Sequence, residues 1–575
     1  MQQAVATKRA WERGAARIAA LPDRTANWLV AAALTAAAII MTLLLVIPDR
    51  TVVTQHLYDL MIFLDAAHRI GSGQIPNHDF HSAQGPFAYT LLAIGYAWSG
   101  SFGGMMPATT GLFMAILLPF TIYACLSRLT WPLALLFGLH ILILSAAPFY
   151  IGDITPRPTW GMFYNRWGWA LISLLFLFVL PRRARFGGFA ADALCIGLLW
   201  LVLFYLKITY AVVAAPFLVG LLVFPHARRA ALGSFAVIVV AGLAIQLLWG
   251  GTFTYIDDIR LAASATGAVR NGLIGIFATL YNNAWGVYLV AAVLLLALYD
   301  RIRYDYLLMC LFMAATGIIL DRHNSQGPGL LTFVTAALVA VLAPRRAPRG
   351  DGGGDTARPV LASLLLAGAL AVPIDVAGAG NLAFHALAAV RGRAPGQVGL
   401  AGIITPAPPT SSPNQPSALL ARRAGGTCGP VDPGLLNIDA HPGETEGKDV
   451  LAILRNGVSL LDRTQGLAGK VFLMDVANPF NALTDRGSPV GAEAFNDAEV
   501  SLSEDVHRPA DAMLGDVDVL MVPRYPQKYA TFDLLRRIYR PYFDANFALT
   551  ARSECWDAYR RVTAKPLSAP RPPRS

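Results

Sequence analysis

Twelve apolar stretches divide this chain, and their lengths leave few folds open to it. They are the segments 27–47, 86–100, 107–126, 131–149, 163–181, 189–206, 208–225, 231–250, 280–299, 304–320, 330–343 and 358–377. An apolar run of about 17–25 residues is long enough to cross a bilayer as a helix. Only 14% of the 575 residues are charged, whereas soluble domains carry about a quarter. Some segments are short or closely spaced, so we predict a polytopic α-helical membrane protein with about 11–13 transmembrane helices.

Clusters of arginine after four of these segments predict how the chain is oriented. They lie at 182–185, 228–229, 301–303 and 345–349. Because basic loops stay in the cytoplasm, the N-terminal segment 1–26 is expected inside. The external loops of the transmembrane domain 27–377 are then 48–85, 150–162, 251–279 and 321–329. The net charge of +10 is explained by basic loops that face anionic lipid headgroups, so no nucleic-acid partner is expected.

The C-terminal part of the chain has a different character. It begins with a linker at 378–429 and continues as an extracytoplasmic α/β domain at 430–575. The stretches "KVFLMDV" and "DVDVLMVP" are typical of buried strands, 527–540 has helical periodicity, and "NFALTARSECWDAYRRV" adds a strand or two. An inside N-terminus and an outside C-terminal domain need an odd number of crossings. Either one of the segments 107–126 and 131–149 does not cross fully, or the count is wrong by one.

Five cysteines fall into two groups. Cys125, Cys195 and Cys310 lie in apolar segments and are expected to be buried small residues. Cys428 and Cys555 lie in the polar C-terminal region, and outside the cytoplasm a disulfide between them is plausible.

The first external loop gathers ionisable residues in "YDLMIFLDAAHRIGSGQIPNHDFHSAQGPFAY", residues 58–89. Asp59 and Asp65 are six residues apart with apolar residues between them, which suits a short amphipathic helix at the membrane interface. A carboxylate beside apolar walls has its charged form disfavoured and its basicity raised. It would be a suitable general base for a hydroxyl acceptor. The alternative is a solvated loop with capping Asp and His side chains.

Basic residues at the predicted outer helix ends depart from the positive-inside trend. They are Arg157, Arg166, Lys207, Arg260, Arg270 and Arg322. A donor linked through phosphate needs cations to hold it and to neutralise the leaving group. We expect donor phosphate binding from Lys207, Arg166, Arg322 and Arg260. For any single one of them, snorkelling to lipid headgroups or a local ion pair explains the charge equally well.

Four features of the first loop resemble the first external loop of GT-C glycosyltransferases. They are an Asp just after the first helix, a helix that ends in "SG", a "P-x-x-D-F" turn and a "GP-x-x-Y" helix start. The similarity is to the bacterial branch with the aminoarabinose transferase of lipid A and the protein mannosyltransferases. Those enzymes have an Asp-Glu pair where this chain has Asp59 and Leu60. The resemblance therefore implies Asp59 as the catalytic residue and leaves Asp65 or Asp79 to share its role.

The resemblance also suggests further ligand residues. Many GT-C enzymes depend on a metal, so Asp257 and Asp258 are candidate ligands of Mg²⁺ or Mn²⁺, although such a pair is more often a turn or cap. Other candidate substrate contacts are Tyr58, His78, His81, Trp167, His323 and Asn324.

The implied function is transfer of a sugar, with inversion, from a polyprenyl-phosphate donor to a hydroxyl of an extracytoplasmic glycan or glycolipid. The implied location is a bacterial inner membrane. One alternative is a transporter or flippase of lipid-linked sugars. Transporters tend to have internal repeats and ionisable groups near the midplane, whereas this sequence shows no repeat and its charges collect at the outer rim. Another alternative is a polysaccharide assembly protein that acts through its external domain.

Overall fold

The computed structural model describes most of the chain. The described residues are 23–54, 56–151, 157–183, 187–265, 280–281, 287–288, 290–291, 294–295, 303–324, 330–342, 357–392, 398–405, 447–498 and 500–565.

Helices build the membrane domain. They are α1 Asp23–Val46, α2 Leu57–Gly71, α3 Pro86–Ser99, α4 Phe102–Arg128, α5 Trp131–Ala146, α6 Phe163–Phe176, α7 Phe189–Leu206, α8 Ile208–Gly220, α9 Pro225–Trp249, α10 Thr252–Ala265, α11 Tyr304–Asn324, α12 Leu330–Leu342 and α13 Ala357–Arg391. Each predicted segment overlaps one of these helices except 280–299, most of which lies outside the described residues. The prediction of a polytopic helical membrane protein is confirmed.

Five of the described helices are long and apolar enough to cross a membrane. They are Arg24–Val46, Phe102–Arg128, Phe189–Leu206, Pro225–Trp249 and Tyr304–Arg322. Helix α5 has 16 residues, fewer than the roughly 20 that a spanning helix needs. It belongs to one of the two segments whose crossing the sequence leaves open.

Helix α2 confirms the predicted helix in the first loop but not its predicted setting. An amphipathic helix at an interface would expose one face, whereas residues 59–69 are buried without interruption. The reason is that α2 packs against α3 on the membrane side and against the C-terminal domain on the other. Its polar residues therefore face protein on both sides.

Helices α7 and α8 are separated by one residue, Lys207. Its backbone is extended, with φ −164° and ψ 113°, which interrupts the helical hydrogen bonds. Gly85, just before α3, donates its backbone N–H to the Leu206 carbonyl at 3.2 Å. A Cβ at Gly85 would lie 1.9 Å from the carbonyl oxygen of Tyr205, so only glycine allows this approach. The end of the first external loop is thereby fixed on the break.

Helix α13 continues beyond the predicted membrane segment. It ends at Arg391, so the first fourteen residues of the predicted linker 378–429 are helical, as their Ala-rich sequence favours. Strands β2 (Val398–Leu400) and β3 (Ile403–Thr405) follow it, and β1 (Thr51–Val52) precedes α2. They form a sheet in the order β1-β3-β2, with β1 parallel to β3. This sheet ties the start of the first loop to the chain after α13.

The C-terminal domain is a small α/β unit. Its strands are β4 Val471–Leu473, β5 Val519–Pro523, β6 Phe547–Arg552 and β7 Trp556–Arg561, and its helices are α14 Gly447–Arg463, α15 Phe480–Leu483, α16 Ala510–Leu514 and α17 Tyr529–Asn546. The sheet order is β4-β5-β7-β6, with β4 and β5 parallel and the other pairs antiparallel. The predicted strands and the helix at 527–540 are confirmed.

Backbone hydrogen bonds join the C-terminal domain to the first external loop. His81 donates its N–H to the Ala492 carbonyl at 3.0 Å and accepts from the Ala494 N–H at 2.8 Å. The Gly491 N–H donates to the Asp79 carbonyl at 2.7 Å. These ladder-like contacts depend on backbone geometry, so the domain has a defined position against the loop.

Candidate functional site

Asp59 lies in the first turn of α2 and faces the start of α6. Its side chain is 6% exposed, and its Oδ2 accepts a hydrogen bond from the Met162 backbone N–H at 2.9 Å. Gly161 lets the two chains approach, because a Cβ there would lie 2.7 Å from His56 Cβ and 3.2 Å from Asp59 Oδ2. The carboxylate is therefore held where the loop 157–162 enters the membrane domain.

Lys207 reaches the same turn of α6 from the break between α7 and α8. Its Nζ donates to the Asn165 side-chain oxygen at 3.0 Å and lies 5.0 Å from the centre of the Tyr164 ring. The Asn165 N–H in turn donates to the Met162 carbonyl at 2.8 Å. Asp59 and Lys207 thus flank a single helical turn, about 5 Å along the helix axis. A carboxylate and a cation therefore lie on either side of the same turn, and their roles stay a prediction.

Polar side chains at the end of the first loop lie near these residues. The Tyr89 hydroxyl donates to the Gln84 side-chain oxygen at 3.0 Å and lies 2.9 Å from the Ser82 hydroxyl. Gln84 is followed by Gly85, which packs on the break that carries Lys207. Uncharged hydrogen-bonding groups of this kind suit the hydroxyls of a sugar.

Sequence analysis missed Asn165 and Gln84. Asn165 is fully buried in a helix that is mostly apolar apart from Arg166, and a buried polar side chain in a membrane segment is a signal in itself. Its neighbour Arg166 drew attention because it is charged. Gln84 carries no comparable signal, since its position depends on the contact of Gly85 with a distant break.

Asp65, predicted to share the catalytic role, lies near the middle of α2, one turn before Arg69. It is fully buried and its Oδ2 pairs with Arg69 Nε at 2.6 Å. Burial raises the pKa of the Asp65 carboxyl, and the charge and hydrogen bond of Arg69 oppose that rise. Six residues separate it from Asp59, which is about 9 Å along the axis. The two carboxylates do not meet.

Asp79 shapes the turn of the first loop. Its Oδ2 accepts from the Ile75 backbone N–H at 2.9 Å, and its own backbone carbonyl accepts from Gly491. Asn77 within this turn has a positive φ of 59°. These contacts are those of a carboxylate that stabilises a turn.

The neighbouring residues Asp257 and Asp258 point to different surroundings. Asp257 is 67% exposed and pairs with Arg260 at 3.0 Å. Asp258 is buried, with Oδ1 3.0 Å from His81 Nδ1 and an ion pair to Arg508 of the C-terminal domain. Burial alone would raise the pKa of Asp258, but these two partners and Asn77 outweigh it, so the pKa is lowered.

Divalent metal binding finds little support in this arrangement. Within the part of the chain that the structure describes, no group of three or more His, Cys, Asp or Glu side chains is placed to hold a metal ion. Asp258 already has positively charged and hydrogen-bonding partners, and Asp257 faces away from it. The candidate site for Mg²⁺ or Mn²⁺ is not assembled from these two residues.

The other predicted cations differ in accessibility. Arg166 is 1% exposed, and its Nη1 donates to the Phe149 carbonyl at 2.8 Å. Arg260 is exposed at its ion pair with Asp257. Arg322 is half-buried near the end of α11. Lys207 is linked to Asp59 through Asn165 and Met162, while Arg166 holds the Phe149 carbonyl.

The residues predicted to contact substrate lie in different parts of the structure. Tyr58 adjoins Asp59 and meets the His56 ring at 6.3 Å. His78 is exposed beside the Trp249 carbonyl at 3.2 Å, and His81 belongs to the Asp258 cluster. Trp167 is buried in the core, stacked on Phe113 at 3.8 Å. His323 and Asn324 end α11, and their side chains lie outside the described part of the structure.

Among the described cysteines, three are free thiols. Cys125 and Cys310 are buried as expected, whereas Cys195 is only half-buried. Cys555 is disulfide-bonded. Cys428, its predicted partner, lies outside the described residues.

The chain was compared with known proteins. Its structure is similar to the crystal structure of ArnT from Cupriavidus metallidurans bound to undecaprenyl phosphate, over 93% of this chain and 98% of that chain. The TM-score is 0.45 and the sequence identity is 11%. A likeness of this degree assigns no role to any residue. No protein-family model and no curated protein matches the chain.

Proposed function

We propose that this protein is a GT-C type membrane glycosyltransferase that moves a sugar from a polyprenyl-phosphate donor to a hydroxyl of a glycan or glycolipid. The observation that carries the proposal is that Asp59 and Lys207 flank one turn of α6. Sugar transfer from a phosphate leaving group needs a base for the incoming hydroxyl and a cation for the departing phosphate. The resemblance of the first external loop to GT-C enzymes supports the same conclusion.

Asp59 would act as the general base. As the acceptor oxygen attacks the anomeric carbon, the carboxylate takes the hydroxyl proton and a new glycosidic C–O bond forms. The bond from the anomeric carbon to the phosphate oxygen breaks in the same displacement, and its electron pair leaves with the polyprenyl phosphate. Attack from the side opposite the leaving group inverts the anomeric configuration.

Lys207 would stabilise the negative charge that develops on the phosphate. Its Nζ is held by the Asn165 amide oxygen and lies over the Tyr164 ring, and both of these partners are uncharged. A preorganised cation in a low-dielectric site stabilises developing charge more strongly than it would in water. The half-buried position at a helix break also suits a donor that reaches the site from within the bilayer.

The orientation remains part of this proposal. The four arginine clusters would lie in the cytoplasm with the N-terminus. The first loop and the C-terminal domain would then lie outside, in the periplasm of a bacterium whose inner membrane holds the chain. A disulfide between Cys428 and Cys555 would be compatible with that compartment.

The test is a transfer assay on the full chain in lipid nanodiscs. It uses a panel of polyprenyl-phosphate hexoses and pentoses as donors, with envelope glycolipid extract as the acceptor. Asp59→Asn keeps the shape of the side chain and removes its basicity, so we expect transfer to fall by about 10²–10⁴. Asp257→Asn makes the same chemical change at an exposed carboxylate and is expected to transfer within about twofold of wild type.

Both variants need an unchanged thermal unfolding midpoint for this comparison. Normal transfer by Asp59→Asn would refute the assignment of the base. A wild-type chain that moves the lipid-linked sugar across the bilayer and transfers none of the donors would refute the enzyme and favour a flippase.

A further inference from the structure

A cavity lies in the C-terminal domain, in a part of the chain that the transfer chemistry does not use. It has a volume of about 350 Å³ and is bounded by helix α17, by the carboxyl ends of strands β4 and β5, and by Asp557 and Tyr559 of β7. Met474 follows β4, and Val522 and Pro523 end β5. Ligands of α/β sheets characteristically bind outside the carboxyl ends of parallel strands, and the volume is that of a small-molecule site.

Aromatic rings form one part of this cavity. Tyr529 is 55% exposed, and the other lining rings, Phe532, Phe543 and Tyr559, are half-buried. The Phe543 and Tyr559 rings meet edge to face at 4.8 Å. Rings exposed in a cavity offer apolar faces against which the C–H side of a sugar ring packs, while a tyrosine hydroxyl serves the sugar's own hydroxyls.

Three arginines form another part. Arg536 and Arg540 are four residues apart on α17 and therefore share a face of the helix. Arg524 follows β5, and all three line the cavity. A guanidinium binds a carboxylate or phosphate through two parallel hydrogen bonds. The cavity therefore combines rings with groups that recognise anions.

The acids near the cavity do not cancel these charges completely. Asp533 and Asp557 also line it, but Asp557 has its own ion pair with Arg552 at 3.4 Å. Of the three lining arginines, Arg540 pairs with Asp544 at 3.3 Å on the exposed side of α17. The lining thus holds three cations and two carboxylates, and one of these carboxylates is already paired with an arginine from outside the cavity.

A nucleotide does not fit this cavity, because backbone N–H groups that could bind its phosphate already donate to Asp475. In nucleotide-binding α/β folds, backbone N–H groups after the strands hold the phosphate. Here the buried Asp475, just after β4, accepts from the Val476 N–H and the Gln527 N–H, each at 2.8 Å. Pro523 and Pro526 line the same edge and have no N–H to offer. An anion in this cavity must be held by side chains.

We propose that this cavity binds an anionic saccharide, with one sugar ring packed on Tyr529 and a carboxylate or phosphate on another part of the saccharide held by Arg536 and Arg540. The binding itself stands apart from the transfer reaction. The identification of this saccharide as part of the acceptor glycan rests on the proposed function. The C-terminal domain would then select acceptors by their charge.

The experiment is isothermal titration of the full chain in nanodiscs with digalacturonate. Maltose serves as the uncharged saccharide and diglutamate as the anion without sugar rings. We expect digalacturonate to bind with a Kd below about 10 mM and at least about tenfold more tightly than either comparison ligand. Arg536→Gln combined with Arg540→Gln should weaken it at least about tenfold, and Tyr529→Ala by about three- to tenfold.

Arg537→Gln is the matched control, because Arg537 lies between the two arginines on α17 but pairs with Glu504 at 3.7 Å outside the cavity. It should change the Kd by less than about twofold. The proposal is overturned if digalacturonate does not bind at about 10 mM, if diglutamate binds equally well, or if the paired substitutions have no effect. Asp59→Asn should bind digalacturonate normally, so loss of transfer and loss of saccharide binding are separate outcomes.

Discussion

The two ends of helix α2 have the same kind of residues and opposite surroundings. At its beginning, Asp59 faces the loop before α6, in the turn that also holds Lys207. In its last turn, Arg69 pairs with Asp65 one turn earlier, and its Nη1 donates to the Pro489 carbonyl at 2.6 Å. His68 at that end lies 2.7 Å from the Arg486 carbonyl. One end faces membrane helices, and the other faces the C-terminal domain.

The difference shows how one short helix can position a candidate catalytic carboxylate at one end and attach to the C-terminal domain at the other. A carboxylate with an arginine one turn later has a fixed ion pair, and fully buried pairs of this kind set structure more than reactivity. The far end fixes α2 on the C-terminal domain, and because a helix is stiff, the near end is positioned as well. Substitutions at the near end should therefore change the rate of transfer, and substitutions at the far end should change stability.

The largest effect is expected at the far end. Arg69→Met leaves the buried Asp65 carboxylate without its cation, so we expect the free energy of unfolding to fall by about 3–5 kcal/mol. Thermal unfolding of the protein in nanodiscs measures this loss. Adding Asp65→Leu removes the unpaired charge and should restore most of the stability. If the single variant stayed as stable as wild type while transfer was lost, the roles of the two ends would be reversed.

At the near end, Lys207→Met should leave stability nearly unchanged and slow transfer by about 10²–10³. The loss should appear in kcat more than in KM, because the cation acts on charge that develops in the transition state. Lys207→Arg keeps the charge and should retain transfer within about tenfold. Equal rates for Lys207→Met and wild type would separate Lys207 from the donor phosphate.

The stability of the C-terminal domain, against which the far end of α2 packs, should depend on pH through Asp475. Burial raises the pKa of this carboxyl to about 6, although backbone N–H groups oppose the rise. In an unfolded chain the pKa is about 3.9, so the folded state holds its proton more tightly. The stabilisation is complete below about pH 4 and is lost as the pH rises through 6, by about 3 kcal/mol in total.

Asp475→Asn carries no titratable proton at this position and serves as the reference. Proteolysis of the C-terminal domain across this pH range should show wild type losing stability relative to the variant up to about pH 6 and no further change above it. A difference that stays constant with pH would mean that Asp475 is ionised in the folded protein throughout.

The smallest effect is expected away from both ends of α2. Arg260 is exposed and paired with the exposed Asp257, and such surface pairs contribute little to stability. Arg260→Ala should leave transfer within about twofold and the unfolding midpoint unchanged. A tenfold loss of transfer would show that the predicted role of Arg260 in donor binding is right after all.

The features that could be predicted from the sequence are those that depend on local patterns of residues. Apolar length locates the helices, and Lys207 already marks the boundary between two adjacent apolar segments. The resemblance of the first loop to GT-C enzymes singles out Asp59 among the carboxylates of that loop, and its catalytic role stays a prediction. In each case the signal lies within a few turns of the residue concerned.

Contacts between distant residues could not be predicted in the same way. The pairing of Asp258 with Arg508 spans 250 residues, and nothing near Asp258 distinguishes it from the adjacent Asp257. The burial of α2 was missed because the sequence does not show the domain that covers its second side. The helical start of the predicted linker was missed because an apolar length shows where a membrane segment can end and does not show where the helix ends.

The single-residue break at Lys207 also has an electrical consequence. The C-terminal end of α7 and the N-terminal end of α8 meet there, so a partial negative and a partial positive end of two helix dipoles lie next to each other. The positive end of α8 therefore begins beside the lysine ammonium, and the Tyr210 N–H of its first turn donates to the Lys207 carbonyl at 3.1 Å. A continuous helix of the same length would have neither dipole end beside Lys207.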